Sequence, residues 1–336
     1  MNQSSGKIKI WIFIIILTIV GLFCLLFLKT SFTVNKVIAW QDVANILPFS
    51  DKLPEKDPNR INVLILGMRG LEDPGDGKML SDTIIIASIK KDTGKIALIS
   101  IPRDLYVDIW CDSSKRKINS AHAYGGLDCA KKTVAMATNL YIDYAISVDF
   151  KALKETIDTL GGITIYLDEP FVEDFQWWSE GWEENENWFI KEIEGEEKWV
   201  FYVPEGRNDL DGDIALYYVR SRYSTNDFDR MRRQQQVLMA IKDKAFSLGV
   251  LANPIKIYNL LDVLGRNVRT DIGLADIKNF IGLSSDLDTK DIKKIVFDIS
   301  TEGLLYHTFI DEQYVLLPID DNFDKIQEAC KNIFAQ

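Results

Sequence analysis

The sequence predicts an α/β fold: a mixed central β-sheet flanked by helices, preceded by a single N-terminal transmembrane helix. Three observations carry that reading. Residues 8–28 form an apolar run broken only by Lys9, close to the roughly 20 residues that span a hydrocarbon core as a helix. Residues 62–67, 83–89 and 95–101 are short β-branched runs bounded by turn residues, and continuous apolar runs of that length suit strands covered on both faces. From residue 128 onward, helical and strand patterns alternate.

Taken in order, residues 1–7 are a short tail. Lys7 and Lys9 precede the apolar core and Lys29 follows it, which favours a cytoplasmic amino terminus and single-pass insertion in the cell membrane. A cleaved signal peptide would have a shorter apolar region and a small-x-small site, and no such site follows. Residues 29–58 read as a linker, ending in the polar stretch Asp51-Lys-Leu-Pro-Glu-Lys-Asp-Pro-Asn59. Residues 59–336 then form the extracytoplasmic domain. The turn Lys91-Asp-Thr-Gly94 joins the second and third strands as a hairpin. A helix follows over 128–140 and a strand over 144–148. The next helix, 150–160, stops at Gly161-Gly162, where glycine supplies a left-handed cap. Residues 163–167 are a further strand. Beyond residue 230 the pattern is mostly helical to about residue 283, followed by strands near 295–299 and 314–317 and a last helix over 321–334.

Residues 173–199 differ in composition. Trp177, Trp178, Trp182, Trp188 and Trp199 stand there among ten carboxylates and two lysines. Two readings stand: an acidic surface hairpin whose tryptophans pack together, or exposed indole faces for a sugar or a partner. Of the four cysteines, Cys24 falls in the apolar run. Cys111 and Cys129 flank one loop-and-helix segment and are either bridged, with Cys330 left over, or separate thiols. His122 and His307 are isolated, and no Cys/His metal spacing exists.

The most informative segment is residues 217–236, which gather Arg220, Arg222, Arg230, Arg232 and Arg233 in a chain of net charge −11. Like charges this close call for an anion between them, and the guanidinium fork matches phosphate oxygens two at a time. The acidic balance excludes a nucleic-acid surface. Arg230, Arg233 and Gln234 lie at i, i+3 and i+4, on one helical face that continues as Val237, Leu238, Ile241 and Ala245. They therefore sit at the first turn of an inward-facing helix, where backbone N–H groups also favour an anion. Asp227 fits the approach to that helix as a cap. Arg220 and Arg222, two apart, point the same way if the chain is extended there, and Arg232 falls on the solvent side. At least three of these arginines are expected at one anion site.

Charged residues also stand at strand ends, where α/β folds place ligand sites. Ser81-Asp82-Thr83 opens one strand, and Ser100-Ile-Pro-Arg103-Asp104 closes the next, with Arg103–Asp104 readable as a local turn ion pair. Lys117 lies in a loop from which a mobile ammonium reaches phosphate.

These segments, with Lys117-Ile-Asn119, Tyr124-Gly-Gly126, Ile157-Asp-Thr-Leu-Gly-Gly162, Leu210-Asp-Gly212, Tyr218-Val-Arg-Ser-Arg222 and Asp227-Phe-x-Arg230-x-x-Arg233-Gln-Gln-Gln236, resemble the LytR-CpsA-Psr family over residues 60–245. The resemblance implies that family's layered domain and a membrane phosphotransferase. Its donor would be a glycopolymer on polyprenyl pyrophosphate, and its acceptor a cell-wall glycan such as a peptidoglycan sugar hydroxyl. It implies catalytic roles for Asp82, Arg103 and Asp227. Pyrophosphate binding falls to Arg103, Arg220, Arg222, Arg230 and Gln234, with Lys117 beside them and Arg233 on the same helical face. It implies Mg²⁺ as cofactor, with Asp82 as a metal-associated carboxylate. The chain departs from the family in two places: Leu80 stands for the usual arginine before Ser-Asp-Thr, and Gly67-Met68-Arg69 for the usual Gly-x-Asp. Glu72, Asp73 or Asp76 are the candidate replacements for the missing aspartate. A pyrophosphate hydrolase using the same groups, and a wall-glycan binding protein without chemistry, are the competing readings.

Overall fold

Val63-Leu-Ile-Leu66 is apolar on both faces of the pleat, and in the computed structural model it forms the middle of strand β1 (Arg60–Met68), where Leu64 and Leu66 are fully buried. Burying one such side chain contributes about 1.5–3 kcal/mol. The structure describes residues 53–70, 79–112, 114–174, 185–247, 249, 253–273, 276 and 287–335. The expected transmembrane helix at 8–28 and most of the linker lie outside them, as do Glu72, Asp73 and Asp76. Among the described residues no helix is long and apolar enough to cross a membrane. The chain divides into two compact units. One takes the described residues up to Phe150 together with those from Leu261 onward, and the other is Lys151–Leu260.

In the first unit, β2 (Ser81–Lys90) lies antiparallel to β1, and β3 (Lys95–Ser100) antiparallel to β2 through the expected turn at 91–94. Between Gly67 and Met68 the register slips, so that Gly67 faces Thr83 while Met68 faces Ser81. Asp82 is the extra residue of that bulge, a device that re-aims a side chain at a sheet end. A short ribbon follows, β4 (Tyr106–Asp108) against β5 (Lys115–Lys117). Helix α1 (Ala121–Thr138) starts earlier than the pattern from 128 suggested, because non-helical backbone at Gly125 and Gly126 interrupts it. A Cβ at Gly125 would lie 2.7 Å from Cys129 Cβ and 2.9 Å from Cys111 Sγ. The glycine therefore makes room for the Cys111–Cys129 disulfide, which settles the pairing the sequence left open. Strand β6 (Tyr144–Asp149) then runs parallel to β1.

The second unit opens within helix α2 (Phe150–Leu160), which ends where expected, with Gly161 and Gly162 at φ +79° and +83°. Strand β7 (Ile163–Leu167) does not join the central sheet. Three short strands follow, β8 (Phe171–Glu173), β9 (Trp188–Ile193) and β10 (Glu196–Val203), in the order β8-β10-β9. The acidic segment is thus in part a hairpin, turning at Glu194 and Gly195, both with positive φ. Its Trp188 is core rather than an exposed stacking face: its ring lies 4.5 Å from Tyr217 and 5.2 Å from Phe201. Trp177, Trp178 and Trp182 lie outside the described residues. Strand β11 (Gly206–Leu210) pairs with β7. Helices α3 (Gly212–Arg220) and α4 (Asp227–Ala245) complete a core that includes Ile157, Ile163, Phe201, Tyr218 and Val237.

The chain returns to the first unit through α5 (Pro254–Asn267) and β12 (Val268–Thr270), which extends the sheet beside β6. Strand β13 (Asp288–Val296), longer than the expected 295–299, lies parallel to β3. The finished sheet reads β12-β6-β1-β2-β3-β13 and mixes parallel with antiparallel pairs, as the sequence predicts. A hairpin of β14 (Leu305–Ile310) and β15 (Gln313–Pro318) follows, and a closing helix α6 (Asp324–Lys331), shorter than 321–334. The buried Arg60 guanidinium ties that helix to β1 by donating from Nη1 and Nη2 to the Cys330 carbonyl at 3.0 Å.

Candidate functional site

Within the first unit, three of the sequence-predicted residues line one pocket of about 400 Å³, together with five the motifs had not assigned to a site. The lining is Asp82, Arg103 and Lys117 with Arg69, Leu80, Asp104, Asn119 and Gln313. That volume lies in the ordinary range for a small-ligand site. Asp82 arrives through the β2 bulge. Arg103 and Asp104 follow β3, and their backbone is held on both sides. Asn119 N–H donates to the Arg103 carbonyl at 3.2 Å, Ile118 N–H to Leu105 at 2.7 Å, and Leu316 N–H to Asp104 at 2.9 Å. Lys117 comes from β5, whose loop is strapped to α1 by the Cys111–Cys129 disulfide.

Charge decides what the pocket can do. Arg103 Nη1 lies 2.6 Å from Asp82 Oδ1 and Nε lies 3.5 Å from Asp104 Oδ2, so the turn ion pair is real but shared. Lys117 Nζ is 2.7 Å from the other Asp104 oxygen, and Arg69 Nε is 3.5 Å from Asp82 Oδ2. Three cations thus alternate with two carboxylates around one cavity, leaving a net positive surface for an anion. Among the described residues, the donor set does not fit the Mg²⁺ that the resemblance implies. Both oxygens of Asp82 face guanidiniums, Asp104 faces Arg103 and Lys117, and Arg69 stands where a second carboxylate would be. Mg²⁺ asks for a carboxylate with room for several waters, not one ringed by cations. Among the described residues no three His, Cys, Asp or Glu side chains gather as a metal site.

The second unit holds the other predicted residues. The motif Leu210-Asp-Gly212 starts α3: Asp211 accepts from Ile214 N–H at 2.8 Å, and Asp158 accepts from Gly212 N–H at 2.8 Å. A Cβ at Gly212 would come within 2.5 Å of the Lys154 carbonyl, so only glycine allows this approach. Arg220 is therefore the last residue of a helix and Arg222 follows its cap, Ser221, so the extended chain on which their shared direction depended does not include Arg220. Asn226, not Asp227, caps α4, accepting from Asp229 N–H at 2.9 Å. Asp227 instead lies in the first turn, with Oδ1 2.9 Å from Arg230 Nη2, and Arg230 is only 5% exposed. Arg232 points to solvent and pairs with Asp229, as the spacing predicts.

Arg233 has a different occupation from the one its spacing suggested. It donates to the carbonyls of Tyr218 and Ser221 and to Thr225 Oγ1, and its guanidinium lies 4.6 Å from the Phe171 ring centroid. Burial pushes its pKa down to about 10. Gln234 Nε2 lies 3.4 Å from the Val219 carbonyl. The same Arg220–Asn226 stretch is held from the other side by Glu173. Its fully buried carboxylate accepts from Tyr223 N–H at 2.9 Å, Ser224 N–H at 2.9 Å and Ser224 Oγ at 2.7 Å. Sequence reasoning gave no role to Glu173 or Gln313, because each acts from an element far along the chain.

The profile of the LytR_cpsA_psr family matches residues 28–332. A polyisoprenyl-teichoic acid–peptidoglycan teichoic acid transferase, TagT of Bacillus subtilis (strain 168), is 29% identical over 261 residues, covering 76% of this chain and 74% of its own. A TagU of the same description from Oceanobacillus iheyensis is 31% identical over 271 residues, covering 77% and 74%. The crystal structure of B. subtilis TagV superposes with a TM-score of 0.61 at 26% identity, over 83% of this chain and 98% of that one.

Proposed function

The chain belongs to the LytR_cpsA_psr family, and we propose that this transferase moves a glycopolymer from a polyprenyl-pyrophosphate carrier to a cell-wall acceptor such as a peptidoglycan sugar hydroxyl. The observation that carries the reading is the Arg103-centred pocket, in which Asp82 and Asp104 hold three cationic side chains in place around one cavity. Phosphoryl transfer asks a protein chiefly for positioned positive charge, because negative charge spreads over the equatorial and leaving oxygens in the transition state.

In the proposed step, the acceptor oxygen attacks the phosphorus bonded to the glycan. An O–P bond forms, the bridging P–O bond breaks, and its electron pair leaves with polyprenyl phosphate, which also takes the hydroxyl proton. Arg103 and Lys117 supply donors to the phosphate oxygens. In the second unit, the family resemblance assigns pyrophosphate binding to Arg220, Arg222, Arg230 and Gln234. Asp227 orients Arg230, and Arg233 supports the backbone that carries Arg220 and Arg222. Residues 8–28 anchor the enzyme beside its lipid-borne substrate, with the amino terminus cytoplasmic and the catalytic residues outside.

The test incubates full-length protein with a polyprenyl-pyrophosphate oligosaccharide and insoluble peptidoglycan, then measures glycan retained after detergent washing. Retained glycan supports transfer. Glycan phosphate released to solution with none retained identifies a hydrolase instead, and an intact donor identifies a binding protein.

A further inference from the structure

We propose that Arg69 replaces a divalent cation on the Asp82 side of the pocket, so that transfer by this chain proceeds without bound metal. The proposal rests on the transferase reading and deepens it. Arg69 follows β1, one residue after the bulge that re-aims Asp82, and its Nε faces Asp82 Oδ2 at 3.5 Å. The opposite oxygen, Oδ1, faces Arg103 at 2.6 Å. The one pocket carboxylate the family resemblance assigns to metal is therefore bracketed by two permanent positive charges. A guanidinium stays charged at every physiological pH and presents several N–H donors to phosphate oxygens.

The electrostatic consequence is direct. A divalent ion at Asp82 would sit beside Arg69 and Arg103, and the other carboxylate of the pocket lining, Asp104, already faces Arg103 and Lys117. Arg69 is about one-third exposed, with a side-chain accessibility of 36%, which leaves its fork able to turn toward a bound pyrophosphate. Its charge then meets the same oxygens a cation would neutralise, and Asp82 becomes the group that orients two arginines. The balance of the step is unchanged: acceptor hydroxyl and donor pyrophosphate give a phosphodiester and protonated polyprenyl phosphate, with no further reactant.

The experiment separates metal binding from turnover, using full-length detergent-solubilised protein. Mn²⁺ is titrated in the presence of polyprenyl monophosphate, and the free ion is followed by electron paramagnetic resonance. Arg69→Asp should bind Mn²⁺ at least about tenfold more tightly than wild type, because it restores a second carboxylate and removes a cation. In the transfer assay, excess EDTA should change the wild-type rate by less than about threefold, while Arg69→Asp should lose about tenfold or more and regain it with Mg²⁺. Arg69→Lys keeps the charge and should stay EDTA-resistant, so a misfolded aspartate variant does not leave the question open. Wild-type transfer that collapses in EDTA overturns the proposal. So does tight Mn²⁺ binding by the wild type that Asp82→Asn abolishes. If no variant transfers under any condition, the transferase reading fails, and the Mn²⁺ titration still decides the role of Arg69.

Discussion

Glu173 offers the clearest quantitative handle on the arginine-bearing stretch of the second unit. Its carboxylate is fully buried and accepts from Tyr223 N–H, Ser224 N–H and Ser224 Oγ at 2.7–2.9 Å, fixing the residues immediately after Arg222. Glu173→Gln preserves shape and volume but replaces one oxygen by an amide donor. Whichever way the amide turns, one backbone N–H, of Tyr223 or of Ser224, then faces another donor. A hydrogen bond to a charged group is worth about 1.5–3 kcal/mol, and an unmet buried N–H adds to its loss, so the substitution should destabilise by about 2–4 kcal/mol. That is a large share of the ~5–15 kcal/mol that holds a typical domain together. Urea unfolding of the purified protein reads the loss as a lower midpoint. Transfer assayed under conditions where the variant is folded should show a raised KM for the donor, because Arg222 is no longer fixed. Unchanged stability together with unchanged transfer would refute the claim that this carboxylate holds the loop.

Three further outcomes are expected. Arg103→Lys keeps the charge but cannot span Asp82 and Asp104 at once, so transfer should fall by about a hundredfold with folding intact; a wild-type rate would remove Arg103 from the centre of the pocket. His122 is buried and its pKa is lowered from 6.5, first by desolvation, so the unfolded chain takes up a proton before the folded one does. Its contribution is complete above pH 6.5 and shrinks as pH falls toward the depressed folded value; His122→Gln should flatten the decline in urea midpoint between about pH 7 and pH 5. Protease added to intact cells should cleave near residue 180, and full protection there, with an external control digested, would reverse the proposed topology.

Much of the fold is legible because strong local signals agree with tertiary context. The runs around Leu64, Ile86 and Ile99 are apolar on both faces and become the sheet centre, and Gly161-Gly162 ends a helix by its backbone alone. The backbone before Arg220 was not legible: Tyr217-Tyr218-Val219 has strand-forming character, but Asp211 caps a helix there and Gly212 admits α2. Buried aromatic packing of Tyr217 and Tyr218 in the second-unit core overrides their propensity. Helical spacing placed Arg233 correctly on the inward face yet said nothing of its partners, which are carbonyls rather than a ligand. The pocket was half-visible: Asp82, Arg103 and Lys117 stand in local motifs, whereas Gln313 reaches it through a hairpin far along the chain. Arg69 was visible only as a departure, and its distance to Asp82 gives that departure a physical meaning.

The central claim is that the Arg103-centred pocket serves phosphoryl transfer between two hydroxyl-bearing partners. Phosphorus-31 nuclear magnetic resonance of a reaction between full-length protein, polyprenyl-pyrophosphate oligosaccharide and a soluble peptidoglycan fragment measures this directly. The account predicts that the paired pyrophosphate signals give way to one phosphodiester and one polyprenyl monophosphate in equal amounts, and that Arg103→Ala abolishes both products. A phosphomonoester on the glycan with no diester, or an Arg103→Ala enzyme that performs like wild type, would contradict it.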